Sequence, residues 1–453
     1  MMLRSQEDLD SIADAHRLLS DGAISPSELV EEHIRRIAER EPTIRAWAHL
    51  GLEAARDRAK ALDARLGTMA TIPPLFGIPF GAKDIIHTRQ LPTEAGSRVL
   101  AGFQPDKNAT VIDRLEEQGA IMLGKTTTTE FAHMGGPPKT TNPWNHAHTP
   151  GGSSSGSAAS VAASMAMFAL GSQTAGSLSR PAAYNGLTVL KGTFGRVSKA
   201  GVIPASWTLD HIGGFTHSVE DAVLLYNGIA GPDPEDEFTW ALPYQPLKLR
   251  PRRDFTIGFV DHPYFASASR DVQAGIDDAR RAFEEAGVRI VSVQLPEGFE
   301  AAAAAHAVVM QSEMAAFHAD WYARTPDRYT PEVRAYLADG QGLKAMDYLR
   351  AQRIRAQYRS VFAKVFGQVD VLLTPAAPSA APEGLSATGS PVFNLPFTHL
   401  GIPTLVVPTG FDSAGTLPVG MQLVAPAAQE QTLVDVGLLY QSVTDWHRRR
   451  PAL

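Results

Sequence analysis

Apolar positions recur at helical spacing through the first part of the chain. From Gln6 to about Leu66 the pattern is helical, with Leu29, Val30, His33, Ile34 and Ile37 following a start in which Ser25 is the N-cap, Pro26 the first helical residue and Glu28 closes a capping box. The next stretch, "TIPPLFGIPFGAKD" (71–84), is dense in proline, which argues against a central strand and for a rigid, extended entry. Residues 110–118 predict an amphipathic helix, "AIMLGK" (120–125) a short buried strand, and the small residues of Ser157 to Leu170 a helix suited to close packing. Between Phe255 and Leu295 the pattern is strand, helix (Val272, Ile276, Ala279, Phe283), strand, the signature of a βαβ unit with a parallel pair. Helical spacing returns over 300–366. Three short strands punctuated by Pro and Gly follow, "DVLLTP", "PTLVVPTG" and "VGMQLV", and then a last amphipathic helix from Gln429 to Trp446.

No repeat or long polar linker interrupts this order. The expected fold class is α/β: a single large domain with a mixed, largely parallel central β-sheet covered by helices. Residues 1–70 form an N-terminal helical layer, 71–453 the α/β core, and a partly helical insertion spans about 296–366.

Composition narrows the chemistry. The 453 residues include no cysteine, which removes disulfides, thiolate nucleophiles and cysteine-held metal sites, so any nucleophile is an oxygen or a nitrogen. A formal charge of -7 without a basic block argues against nucleic-acid binding. The start "MMLRSQEDLD" carries no basic segment followed by an apolar run, and Ala158 to Leu170 is too short to span a bilayer, so a cytoplasmic protein without membrane contact is expected. The fourteen histidines show no ligand spacing, and His146 and His148 in "HAH" fit polar packing better than zinc; no metal and no cofactor are expected.

Three motif matches compete. "GAIMLGKT" (119–126) satisfies the phosphate-loop pattern, but its four middle residues are an apolar strand and a helix precedes them, the reverse of the required order. Lys125 then reads as a surface residue at a strand end. "GSSSG" (152–156) satisfies the nucleophile-elbow pattern with Ser154 as nucleophile, yet the preceding "NPWNHAHTPG" is polar and broken by proline, where the elbow needs a buried strand. The third match is a constellation: "GIPFGAKD" with Lys83, "GGSSSGS" with Ser153, and "GSQTAGSLSRPA" with Ser177 on a glycine-flanked turn.

These elements, in this order, resemble the amidase signature family of serine hydrolases. So do "GKTTTTEFA", "NPWN", "GRVSKAGVIPASWTLDHIG", "GIPTLVVPTG" and "LPVGMQL", so that the resemblance covers most of the chain. It implies the fold of that family and a Ser-cis-Ser-Lys triad: Ser177 the nucleophile, Ser153 the bridge after a cis Gly152–Ser153 peptide, and Lys83 the base. It also implies an oxyanion hole at Thr174, Ala175, Gly176 and Ser177, with Ser154 in support. "TPGGSSSGSAAS", which has the composition of a tether, is then a rigid part of the site.

The residue types suit that chemistry. A serine hydroxyl attacks once its proton is taken, and a lysine removed from water loses its own proton far below the usual ~10.4, so it can serve as the base. A hydroxyl between the two accepts a proton from one side and donates one to the other. Asp84 would oppose this if its carboxylate faced the amine.

The implied activity is hydrolysis of C–N amide bonds, in a small or aryl amide, with carbamate and urea-type substrates left open. Trp144, Gln173, Trp207, Phe317 and Trp321 are the candidate pocket, the insertion forms part of the substrate side, and a homodimer is left open. Gln173, Ala175 and Arg180 depart from the commoner family pattern, which leaves substrate preference undecided. The alternatives are the glutaminase subunit of a tRNA-dependent amidotransferase and, from another class, a phosphate-loop nucleotide binder.

Overall fold

A computed structural model describes residues 9–453 apart from 134, 242 and 251. Eleven strands form one sheet: β1 (Trp47–Leu50), β2 (Pro79–Lys83), β3 (Ile121–Thr126), β4 (Phe168–Gln173), β5 (Thr188–Lys191), β6 (His211–Thr216), β7 (Thr256–Val260), β8 (Arg289–Val293), β9 (Val371–Pro375), β10 (Thr404–Phe411) and β11 (Pro418–Val424). Their order across the sheet is β1-β3-β2-β4-β6-β5-β10-β11-β9-β7-β8. Helices cover it, and most of the strands, β2, β3, β4, β6, β9 and β11 among them, are buried along their whole length.

The sheet is mixed, but less parallel than expected. β2 runs parallel to β3 and β4, and β7 to β8 and β9, whereas the six remaining pairs are antiparallel. Two parallel blocks therefore flank an antiparallel middle, in which β5 runs to β6 and β10 to β11 without the helical crossover that a parallel pair needs.

Three local expectations change. β2 is an interior strand despite its proline: Pro79 is the first residue of the strand, where the missing N–H costs no ladder bond that matters. The small-residue run divides into a helix, Ser155–Ala162, and the start of β4. The N-terminal segment contains a strand as well as helices, since β1 adds antiparallel to β3 at the sheet's edge.

Elsewhere pattern and structure agree. The capping box on Ser25 and Glu28 is formed, β7 and β8 enclose the helix Arg270–Glu285, and four helices occupy 299–362. Among the described residues no helix is long and apolar enough to cross a membrane.

Candidate active site

Parallel strands place their C-terminal ends together, and β2 and β4 end on Lys83 and Gln173 at one edge of the sheet. Open α/β sheets hold their sites there. Lys83 is fully buried, and its Nζ donates to Ser153 Oγ at 2.7 Å and to Ser172 Oγ at 2.8 Å. Burial lowers its pKa to about 7; the Asp210 carboxylate acts in the opposite direction and the Arg180 cation in the same one. A neutral amine is thus available near physiological pH.

Ser153 is held by a segment with no freedom to behave as a tether. The Gly152–Ser153 peptide is cis, and every residue from 149 to 170 is buried. The carbonyl of Gly152 accepts from the Arg180 guanidinium, which also donates to Thr388 Oγ1 at 3.1 Å. A side chain at position 152 would meet Thr388 Cγ2 at 2.6 Å, so only glycine fits between this threonine and the bridge. The small residues seen in the sequence are therefore a packing requirement.

Ser177 follows β4 on a tight turn. The helix after it, Ser179–Asn185, begins with its first amides satisfied by one side chain: Gln173 Oε1 accepts from the N–H groups of Leu178 and Ser179, both at 2.8 Å. The other end of Gln173 donates to Thr398 Oγ1, whose hydroxyl donates in turn to the Ala175 carbonyl. Gly176 is needed because a Cβ there would lie 2.7 Å from Asn394 Oδ1. With the turn so fixed, the N–H groups of Ala175, Gly176 and Ser177 find no acceptor among the described residues. Donors left free on a rigid turn are what an oxyanion hole requires. Thr174 also anchors the turn through its hydroxyl, which donates to Asp210 Oδ1 at 2.5 Å. The Ser177 hydroxyl has no hydrogen-bond partner among the described residues, so the structure joins Lys83 to Ser153 by a hydrogen bond and does not join Ser153 to Ser177 by one.

A cavity of about 200 Å³ reaches this site at Ser172 and Thr174, and its wall includes Ile85, Val202, Trp207 and Phe238. Of the five candidate pocket residues only Trp207 lines it. Gln173 is fully buried and spends its amide inside the turn, so it is a structural residue and cannot read a substrate. Trp144 packs edge-on against Phe411 and donates to the Asn185 carbonyl. Phe317 is 38% exposed and contacts Trp321, which stacks on Phe131; neither is on the cavity wall.

One further expectation is corrected. Lys125 is buried, not on the surface, and pairs with Asp84 at 3.2 Å. That pairing also disposes of the concern over Asp84, whose carboxylate faces Lys125 and leaves Lys83 alone. Ser154, expected in a supporting role, donates to the Ser172 carbonyl at 3.2 Å and accepts from the Ser172 N–H at 3.3 Å, which fixes the strand end that carries Lys83's second partner.

Sequence reading alone does not find Ser172, Asp210 or the role of Arg180. Ser172 and Arg180 lie inside the quoted motif "GSQTAGSLSRPA", and Asp210 inside "TLDHIG", but only folding brings their side chains to Lys83, Gly152 and Thr174.

A family model described as Amidase matches residues 28–434. The chain is 39% identical to a Chloroflexus aggregans protein named as one of the subunits of glutamyl-tRNA(Gln) amidotransferase, over 98% of each chain. It is 36% identical to the protein of the same name from Roseiflexus castenholzii, over 97% of each. Among solved structures, the native peptide amidase of Stenotrophomonas maltophilia is 27% identical with a TM-score of 0.82, over 97% of this chain and 98% of that one.

Proposed function

We propose that this chain, which belongs to the amidase family, splits C–N amide bonds through an acyl-enzyme on Ser177. The observation that carries this reading is the 2.7 Å hydrogen bond between a fully buried lysine and a serine hydroxyl, with no carboxylate bonded to the amine to hold its proton. Neutral Lys83 takes the Ser153 proton as Ser153 takes that of Ser177, and the Ser177 oxygen attacks the carbonyl carbon. Charge developing on the carbonyl oxygen meets the free N–H groups of residues 175–177, each donor of this kind being worth about 3 kcal/mol. The proton returns through Ser153 to the leaving nitrogen as the C–N bond breaks. Water then releases the acyl group by the same route.

The relatives' name supports glutamine as the amide donor, within an assembly that charges transfer RNA, ahead of the free-standing aryl amidase expected from the sequence. A second reading rests on the cavity: beside the charged Lys199, Asp210, Glu235, Asp236 and Glu237, the residues Ile85, Ala132, Val202, Pro204, Trp207, Ile212 and Phe238 supply apolar wall for an alkyl or aryl amide or carbamate.

One assay series separates the two. Purified protein is given glutamine, acetanilide and an aryl carbamate, alone and with candidate partner proteins, with Ser177→Ala as blank. Hydrolysis of glutamine that rises with a stably bound partner supports the first reading, and turnover of anilide or carbamate by the isolated chain supports the second. Activity retained by Ser177→Ala within about tenfold of the parent would end the acyl-enzyme assignment, because loss of a nucleophile of this kind costs at least about 10³-fold.

A further inference from the structure

A second cavity, of about 420 Å³, shares Trp207 with the first and is walled by residues of the four helices of the 299–362 segment and of the turn between the last two, among them Ala315, Ala316, Ala319, Leu343, Ala345 and Tyr348. Trp207 is on the wall of this cavity and on that of the catalytic one, and it is the residue that the two walls share. We propose that the second cavity is a distal subsite for the far end of an extended apolar amide substrate, with Trp207 as the wall along which the chain passes. This deepens the second reading above, hydrolysis of an alkyl or aryl amide by this chain, on which it rests.

Three observations support the assignment. The first is size: ligand pockets for drug-sized molecules occupy roughly 300–1,000 Å³, and the catalytic cavity alone, at about 200 Å³, falls below that range. The second is fixation of the loop that carries Trp207. Glu313 accepts from Ser206 Oγ at 2.5 Å, from the Thr208 N–H at 3.0 Å and from Tyr348 Oη at 2.8 Å, while Arg355 donates to the Thr208 carbonyl at 2.8 Å. On the other side Asp210 Oδ2 accepts from the Ala205 and Ser206 N–H groups at 2.9 and 3.0 Å, and its second oxygen holds Thr174. The loop bearing Trp207 is thus bonded both to the second cavity's helices and to the catalytic turn. The third is lining chemistry: the four alanines, Leu343, Trp207 and Tyr348 supply apolar wall, Glu313 is taken up by Ser206, Thr208 and Tyr348, Gln341 and Lys344 are exposed at the rim, and the Ser312 hydroxyl is buried without a hydrogen-bond partner among the described residues.

The test uses two series of anilides. In one the acyl chain grows from acetyl to decanoyl on 4-nitroaniline; in the other the acyl group stays acetyl and the aniline carries a growing 4-alkyl chain. The wild type is compared with Ala316→Phe and Ala345→Trp, which fill the second cavity from exposed positions where folding is not at risk. In at least one series kcat/KM is expected to rise about threefold to fourfold per methylene until the cavity is full, mainly through KM. Both variants are expected to abolish that rise while hydrolysing the acetyl compound within threefold of wild type.

A flat response in both series, or variants that keep the rise, would overturn the proposal. Failure of the hydrolase reading shows itself separately, as absence of turnover of any anilide. In that event calorimetric titration of Ser177→Ala with N-phenyldecanamide decides: binding lost on adding Ala316→Phe supports the subsite, and no saturable binding rejects it.

Discussion

Lys83 and Lys125 lie on neighbouring parallel strands, and both are fully buried. Ala82 pairs with Lys125 and Lys83 with Thr126, so the two side chains leave opposite faces of the sheet. The alternation carries one residue further, and Asp84 therefore meets Lys125, not its own neighbour. Around Lys125 the partners are the Asp84 carboxylate, Thr93 Oγ1 at 2.7 Å and the Pro92 carbonyl, a set that stabilises the ammonium. Around Lys83 they are two serine hydroxyls.

Burial lowers both pKa values, to about 8 for Lys125 and about 7 for Lys83, so desolvation alone does not separate a structural lysine from a base. Lys191 makes the point again. It is buried with a pKa lowered to about 7, but it donates to the Ile402 carbonyl at 2.6 Å, and a carbonyl has no proton to pass on. What distinguishes the proposed base is a partner that can both accept and donate.

Substitution of the two lysines should have the largest and most opposed effects. Lys83→Met is expected to lower kcat/KM by at least about 10³-fold and to leave thermal stability close to that of the parent, since the two hydroxyls it abandons cost about 1–3 kcal/mol. Lys125→Met is expected to do the reverse. It strands the buried Asp84 carboxylate, at a cost of about 3–5 kcal/mol, while activity per folded molecule stays within tenfold. Adding Asp84→Leu to Lys125→Met should recover most of that stability. Denaturant titration and a hydrolysis assay on the same preparations check both halves, and a stable but inactive Lys125→Met would invalidate the distinction.

The same two lysines show what is legible in the sequence. Lys83, Ser153 and Ser177 stand in motifs whose residue types carry the chemistry, and the helix caps and the 255–295 unit follow from local patterns that need no tertiary information. Lys125 reads as a surface residue because burial at a strand end is settled by what packs above it: β1 and the loop carrying Thr93 arrive from elsewhere in the chain. Gln173 misleads for a related reason. Next to a catalytic turn, an amide reads as a substrate contact until the turn's own unsatisfied N–H groups are counted. Ser172 leaves no signal at all, because nothing local says that a lysine about ninety residues earlier will end beside it.

Changes of pH should separate the lysines next. With Lys83 as base, kcat/KM should fall tenfold per unit below about pH 7 and level off above it, as the amine loses its proton. The stability contribution has its own sign. The folded pKa lies below the unfolded value of 10.5, so between about 7 and 10.5 the unfolded chain binds more protons, and stability gained from this group rises with pH across that window. Lys191, shifted in the same direction, contributes a similar slope. Lys191→Met should therefore flatten the stability profile without moving the limb in activity. A shifted limb in that variant would contradict the assignment of the base.

A smaller effect is expected at the turn. Thr174→Val removes the hydroxyl that ties the turn with the proposed oxyanion donors to Asp210 but touches neither lysine. It should lower kcat about tenfold with KM little changed, because the interaction lost is one that positions donors for the transition state. Thr174→Ser, which keeps the hydroxyl, should restore most of it. A loss confined to KM would place Thr174 in substrate binding instead.

The smallest effect tests Lys83's second partner. Ser172→Ala leaves the Ser153 relay intact and removes one acceptor from the ammonium. A hydrogen bond accepted from the charged form favours that form, so its loss lowers the lysine's pKa further. The acid limb of kcat/KM should move below about 7, by less than one unit, and the plateau should fall only a fewfold. A limb that moves upward would mean that Ser172 donates to a neutral amine in the resting site and competes with the bridge. A plateau that falls as far as in Lys83→Met would transfer the relay from Ser153 to Ser172, and with it the feature that sets Lys83 apart from Lys125.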